Sequence, residues 1–194
     1  VKTVAIVREE LKLEETFAKS SIINEGDKKT GYIYLPKFYM PIGEGEGRSC
    51  AEDVANELKK LQNEKVDGVI LDLRDNGGGS LYEVVKMVGL FIPDGPVVQV
   101  KNGDGRSTFL ADQDNGATLY SGPLVVMVNE FSASASEIFA AAIQDYKRGI
   151  VIGSSSTYGK GTVQRPIPLS SSLDQNNLGT VHLTMQKYYR IYGS

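Results

Sequence analysis

The chain is poor in the residues that build metal centres and disulfide scaffolds. Its 194 residues include one cysteine, Cys50, one histidine, His182, and no tryptophan. A single thiol excludes an internal disulfide and any cysteine metal cluster, and Cys50 reads as a small helix residue. With one histidine, a Ser-His-Asp triad would have to use His182, which falls mid-strand on a polar face with no acidic residue at hand. Positive charge is scarce as well: 21 Lys and Arg stand against 24 Asp and Glu, for a net charge of −3. No basic field exists to hold a nucleic acid, and no Lys/Arg cluster marks a membrane surface. No apolar run approaches the ~20 residues of a membrane span, and the first residues do not read as a signal peptide.

What is present predicts one α/β domain, a mixed β-sheet with flanking helices, because this length supports one sizeable core. Val1–Val7 alternates weakly as a strand, and Glu25–Lys29 reads as a turn. Gly31–Phe38 is a strand with Tyr32 and Tyr34 on one face and Ile33 and Leu35 on the other, ending near Pro36. Pro41–Gly47 is a glycine- and glutamate-rich surface loop. Ser49 and Glu52 form a capping box before a helix whose apolar stripe is Ala51, Val54, Ala55, Leu58 and Leu61. Val66–Leu73 is a buried strand. Asn76-Gly77-Gly78-Gly79 then leads into an amphipathic helix, an arrangement that crowds backbone N–H groups toward an anion. No Gly-Lys-Ser/Thr follows, so an oxyanion suits this loop better than a nucleotide phosphate. Asp72, Arg74 and Asp75 read as mutual partners at the strand end rather than as metal or acid/base residues.

Further along, Val97–Val100 and Ser107–Leu110 form a hairpin about Asn102–Gly105, Asn115-Gly116 marks another turn, and Leu124–Val128 is a buried strand. Leu169–Asn177 is a polar loop. Thr180–Tyr192 is a long strand, with Val181, Leu183 and Met185 expected inward and His182, Thr184 and Gln186 outward. Tyr188, Tyr189 and Tyr192 are expected to be packing or surface aromatics. The glycine loop and the serine cluster each follow a strand, so both are expected at carboxyl ends of strands in one sheet.

The stretch Phe131–Gln164 concentrates the chemistry. Ser132, Ser134 and Ser136 crowd the start of a helix carrying Ile138, Phe139, Ala142 and Ile143, where the helix dipole favours a developing negative charge. After a strand, a glycine-flanked loop presents Lys160, and alternation along an extended Gly161–Pro166 would set Lys160, Thr162 and Gln164 on one face. A serine is a weak nucleophile until a base takes its proton. A lysine serves only where its surroundings hold the amine neutral against an ordinary pKa of about 10.4. Gln164 could fix a lysine rotamer without adding charge. Spacing alone does not choose among the three serines.

From about Lys12 to the C-terminus, and most specifically in SASASEIFAAA, GKGTVQ and LDLRDNGGG, the chain resembles the C-terminal processing peptidases, or tail-specific proteases. These are Ser-Lys endopeptidases. The resemblance implies Ser134 as nucleophile, Lys160 as base, Gln164 beside it, and the N–H groups of Gly79 and Ala135 as the oxyanion hole. It implies a crotonase- or Clp-protease-like core over residues 1–194, lacking the family's PDZ domain and C-terminal continuation. It also implies an exported, periplasmic parent, cleavage of protein or peptide substrates near their C-terminal tails, and neither metal nor cofactor. One departure stands out: GSSSTYGK is a residue longer than the family's GEPTFGK and lacks its proline. A catalytically silent peptide- or apolar-ligand-binding domain on the same scaffold is the alternative. An acyl-CoA enzyme follows only from fold analogy, with no CoA-specific residues.

Overall fold

The computed structural model describes residues 16–41, 47–112, 118–169 and 178–193. The expected strand Val1–Val7, the Asn115-Gly116 turn and most of the loops Pro41–Gly47 and Leu169–Asn177 lie outside them.

Two strands, β1 (Lys19–Glu25) and β2 (Lys28–Tyr34), form an antiparallel hairpin about Gly26, whose φ of 59° suits glycine. Ile33 and Leu35 are fully buried while Tyr34 faces solvent, as their alternation predicts. Helix α1 (Cys50–Asn63) begins at Ser49, whose hydroxyl accepts from the Glu52 N–H. It buries Val54, Leu58 and Leu61. The Ser49 hydroxyl also donates to Glu83, a fully buried carboxylate that accepts the Ala51 N–H too, so a second helix helps cap the first.

Strand β3 (Gly68–Asp72) runs parallel to β2, and after it comes α2 (Leu81–Gly89). The antiparallel pair β4 (Pro96–Asn102) and β5 (Ser107–Ala111) follows. Strand β6 (Leu124–Val128), helix α3 (Ala135–Asp145) and strand β7 (Ile150–Gly153) come next, then the hairpin of β8 (Thr162–Pro168) and β9 (Thr180–Tyr189).

The mixed sheet has the order β1-β2-β3-β6-β7, parallel except for β1, and a four-stranded antiparallel sheet, β5-β4-β9-β8, stands beside it. Val69, Leu71 and Leu73 from β3 and its end, and Val126 from β6, are buried under the helices. Phe91 packs edge-to-face on Phe139 at 5.7 Å and on Tyr120 at 6.3 Å, which joins α2, α3 and the segment before β6.

The second sheet overturns one expectation. Val181, Leu183 and Met185 are 44–48% exposed rather than inward. Strand β9 pairs with β4 through Gln99–Asn102, so among the described residues Thr180–Met185 pairs with β8 and not with β4. Alternation identified the apolar face correctly, but the core that would have covered it lies under the other sheet.

Candidate active site

The glycine loop and the serine cluster are carried by β3 and β6, adjacent parallel strands whose carboxyl ends lie together. From the first comes the turn to the glycine loop, from the second the turn to α3, as expected. The two turns are tied together. Asn76 donates its side-chain N–H to Leu35 O at 2.8 Å and accepts the Gly78 N–H at 2.9 Å. Its carbonyl accepts the Ala133 N–H at 3.0 Å and the Ser136 hydroxyl at 2.8 Å. Asn129 accepts the Asp75 N–H at 2.9 Å and donates back to the Asp75 carboxylate at 2.9 Å. Asp75 is thus bound to Asn129, while Asp72 pairs with Arg74 at 2.7 Å and accepts the Tyr32 hydroxyl at 2.6 Å. Burial alone would raise the Asp72 carboxyl, but Arg74 and Tyr32 outweigh it and hold the group below its ordinary value.

This network separates the three serines that spacing could not. Ser132 is fully buried, donating to Leu73 O at 2.8 Å and accepting the Asn129 N–H. Ser136 is fully buried on Asn76. Only Ser134 is partly open, and its φ of 58° and ψ of −112° are unusual for a residue with a side chain. Such a backbone costs about 1–3 kcal/mol and persists where its surroundings impose it. Here the Ser134 N–H donates to the Glu137 carboxylate at 2.7 Å, within the first turn of α3.

The glycine loop is shaped for close approach. Gly79 forms a parallel bridge with Phe38, flanked by the bonds Phe38 N–H to Gly78 O and Ser80 N–H to Phe38 O. In that pairing the N–H of Gly79 points away from Phe38. A Cβ on Gly79, at φ 148°, would lie 2.1 Å from Phe38 O, and one on Gly78, at φ 97°, 2.7 Å from the Ser134 Cβ and 3.0 Å from Ala135 N. Both positions require glycine.

One cleft of about 780 Å³ gathers Gly79, Ser134, Ala135, Lys160 and Gln164, with Met40, Leu81, Ile138, Val163 and Met185 among its apolar walls. All five residues singled out from the sequence therefore line a single space. Lys160 is partly buried and Gln164 exposed. The expected alternation is not what brings them together. Gly161, at φ 62°, breaks the extended run, β8 starts at Thr162, and the cleft is lined by Val163, Gln164 and Arg165 but not by Thr162. His182 is exposed opposite Pro166 on β9 and is not among the residues lining this cleft.

A model of Peptidase family S41 matches residues 29–194. The chain belongs to this peptidase family. It is 45% identical over 194 residues to a tail-specific protease of Haemophilus influenzae, covering 99% of this chain and 26% of that protein. To a carboxyl-terminal-processing protease of Synechocystis it is 38% identical over 144 residues, covering 74% of this chain and 31% of that protein. Among solved structures, a photosystem II D1 C-terminal processing protease superposes with a TM-score of 0.70 at 27% identity, covering 91% of this chain and 44% of the other. The chain thus spans about a quarter to a half of the length of these S41 relatives.

Glu137 is a site residue that the sequence motifs did not single out. Its carboxylate accepts from Gly159 N–H at 2.6 Å, Thr157 Oγ1 at 2.9 Å, Lys160 N–H at 3.1 Å and Tyr188 OH at 3.1 Å, besides Ser134 N–H. Partial burial alone would raise its carboxyl; the donors, Gly159 and Ser134 first, outweigh that and hold it below the ordinary value. The Tyr188 hydroxyl is pushed up by its own burial and by this carboxylate. The Ser-x-x-Glu spacing of Ser134 and Glu137 is a capping signal that could have pointed to half of this role.

Proposed function

We propose that this S41 domain is the catalytic core of a serine endopeptidase with a Ser-Lys dyad. The observation that carries the reading is the single cleft shared by Ser134, Lys160, Gln164 and the backbone at Gly79 and Ala135. Ser134 Oγ attacks the scissile carbonyl carbon while Lys160 Nζ takes its proton. The tetrahedral oxygen receives the N–H groups of Gly79 and Ala135, the latter in the positive first turn of α3. Collapse expels the new amino terminus, protonated by Lys160, and leaves an acyl-Ser134 ester that water hydrolyses by the same steps. Gln164 holds the lysine amine in register.

The strained Ser134 backbone supports this assignment, since such conformations cluster where a side chain must be presented to a reactant. The apolar walls suit an unfolded peptide segment. By kinship with relatives named as tail-specific and carboxyl-terminal-processing proteases, the proposed substrates are protein tails; the resemblance drawn from the sequence adds export to the periplasm and delivery of the tails by a PDZ domain. No helix among the described residues is long and apolar enough to cross a membrane.

The deciding experiment measures turnover of a fluorogenic tail peptide by the intact protein. Ser134→Ala and Lys160→Ala are each expected to lower kcat by about 10⁴-fold or more. Unchanged turnover in either variant refutes the dyad.

A further inference from the structure

We propose that Glu137 is a positioning residue that locks the lysine loop onto the nucleophile's helix, so that Ser134 and Lys160 form one site only while its carboxylate is engaged. This rests on the assignment of those two residues above. The carboxylate stands on α3 one turn after Ser134. It accepts the backbone N–H of the nucleophile and the backbone N–H of the base, at 2.7 and 3.1 Å. One oxygen takes Thr157 and Gly159, and the other takes Ser134, Lys160 and Tyr188. The same five bonds join α3, the loop after β7, and β9.

The loop has little else to fix Lys160. Gly159 at φ 80° and Gly161 at φ 62° flank the lysine, and nothing lies within 4 Å of where their Cβ atoms would be. Glycine at both sides leaves the backbone free to leave this conformation. Among the described residues the other anchors are Tyr158 N–H to Ser132 O at 3.1 Å, Tyr188 N–H to Gly161 O at 3.1 Å, and Ser154 Oγ to Glu130 at 2.7 Å, none of them to Lys160 itself. Glu137 does not line the cleft that would hold substrate, so its effect on the reaction runs through Ser134 and Lys160.

Because all five partners are donors, the isosteric amide is the discriminating change. In one orientation the NH₂ of Glu137→Gln meets the Gly159 N–H and in the other the Ser134 and Lys160 N–H groups, none of which can accept, and the loop is released. The test uses the intact protein, labelling of the active serine by a fluorophosphonate, and steady-state turnover of a tail peptide. Glu137→Gln is expected to slow labelling and lower kcat by about 100-fold, as for a base displaced by about 1 Å, with KM little changed. The double variant Thr157→Val/Tyr188→Phe keeps the carboxylate but removes two donors, and is expected to slow labelling about 10-fold.

Thermal melting of each variant supplies the folded fraction. Labelling by Glu137→Gln at the native rate, or a loss no greater than its loss of folded protein, overturns the proposal. If that variant does not fold, unchanged labelling in the double variant overturns it. Ser134→Ala is run beside them: if it still labels, the nucleophile assignment itself fails, whereas loss of labelling there with a native rate in Glu137→Gln removes only the clasp.

Discussion

Ser134 and Lys160 enter the same cleft from regions held in different ways. Around Ser134, the buried side chains of Ser132, Ser136 and Asn76 tie two turns at the ends of buried parallel strands. Around Lys160 there are a glycine-flanked loop and a hairpin whose Ile167, Val181, Leu183 and Met185 are 38–48% exposed. The proposed nucleophile, Ser134, and the proposed oxyanion groups at Gly79 and Ala135 thus rest on turns held by the buried core. Lys160, the proposed base, is carried by an element with few buried side chains of its own, the kind that opens locally at low free-energy cost. On the proposed reading, such a site can be completed or dismantled without disturbing Ser134, and Glu137 stands at the joint.

This contrast can be broken most severely from the core side. Phe139→Ala, which removes a fully buried ring between α3 and Phe91, is expected to destabilise the domain by about 3–5 kcal/mol, read from urea unfolding. A cost under about 1 kcal/mol would show that the nucleophile side is no better anchored than the base side. Next comes Gly79→Ala. Its Cβ cannot coexist with Phe38 O, so the loop must shift, at about 1–3 kcal/mol of stability and with a fall in kcat of about 100-fold through the displaced N–H. Native turnover in that variant would remove Gly79 from the oxyanion hole.

A smaller effect tests the joint by pH. The Glu137 carboxyl is held below its ordinary value of 4.5, so its contribution is fully present above that pH and is lost as the pH falls through the folded value. The difference in Tm between the native protein and Glu137→Gln is therefore expected to be constant from about pH 7 to 5 and to close below about pH 4.5. A difference that persists under acid would mean the carboxylate's charge is not what holds the loop. Smallest of all, Leu183→Ser on the β8–β9 hairpin is expected to change unfolding free energy by no more than about 0.5 kcal/mol. A larger loss would mean that this face is packed in solution and that the base region is better supported than its exposure indicates.

Local signals made much of the molecule legible. Periodicity and turn residues located α1, α2 and the buried strands within a few residues, and Leu124–Val128 with its own bounds, because a helix or strand with one buried face writes its period into the chain. The five candidate residues were legible through the SASASE, GKGTVQ and NGGG motifs, and the cleft unites them. Two readings failed where a local rule met a distant cause. Extended alternation did not account for Lys160 and Gln164, since Gly161 turns the chain between them. The apolar face of β9 was assigned to a core that lies elsewhere, because alternation reports which residues share a face and not what faces them.

The sequence by itself determined the elements, the family and a short set of chemically competent side chains, since each depends on residues close together in the chain. What needed the three-dimensional fold was which of three serines is open, that the Gly79 N–H points away from Phe38, and that one glutamate joins Ser134 to Lys160. Those outcomes depend on bonds spanning 20 to 60 residues, such as Thr157 to Glu137 and Ser136 to Asn76, whose formation no local pattern encodes.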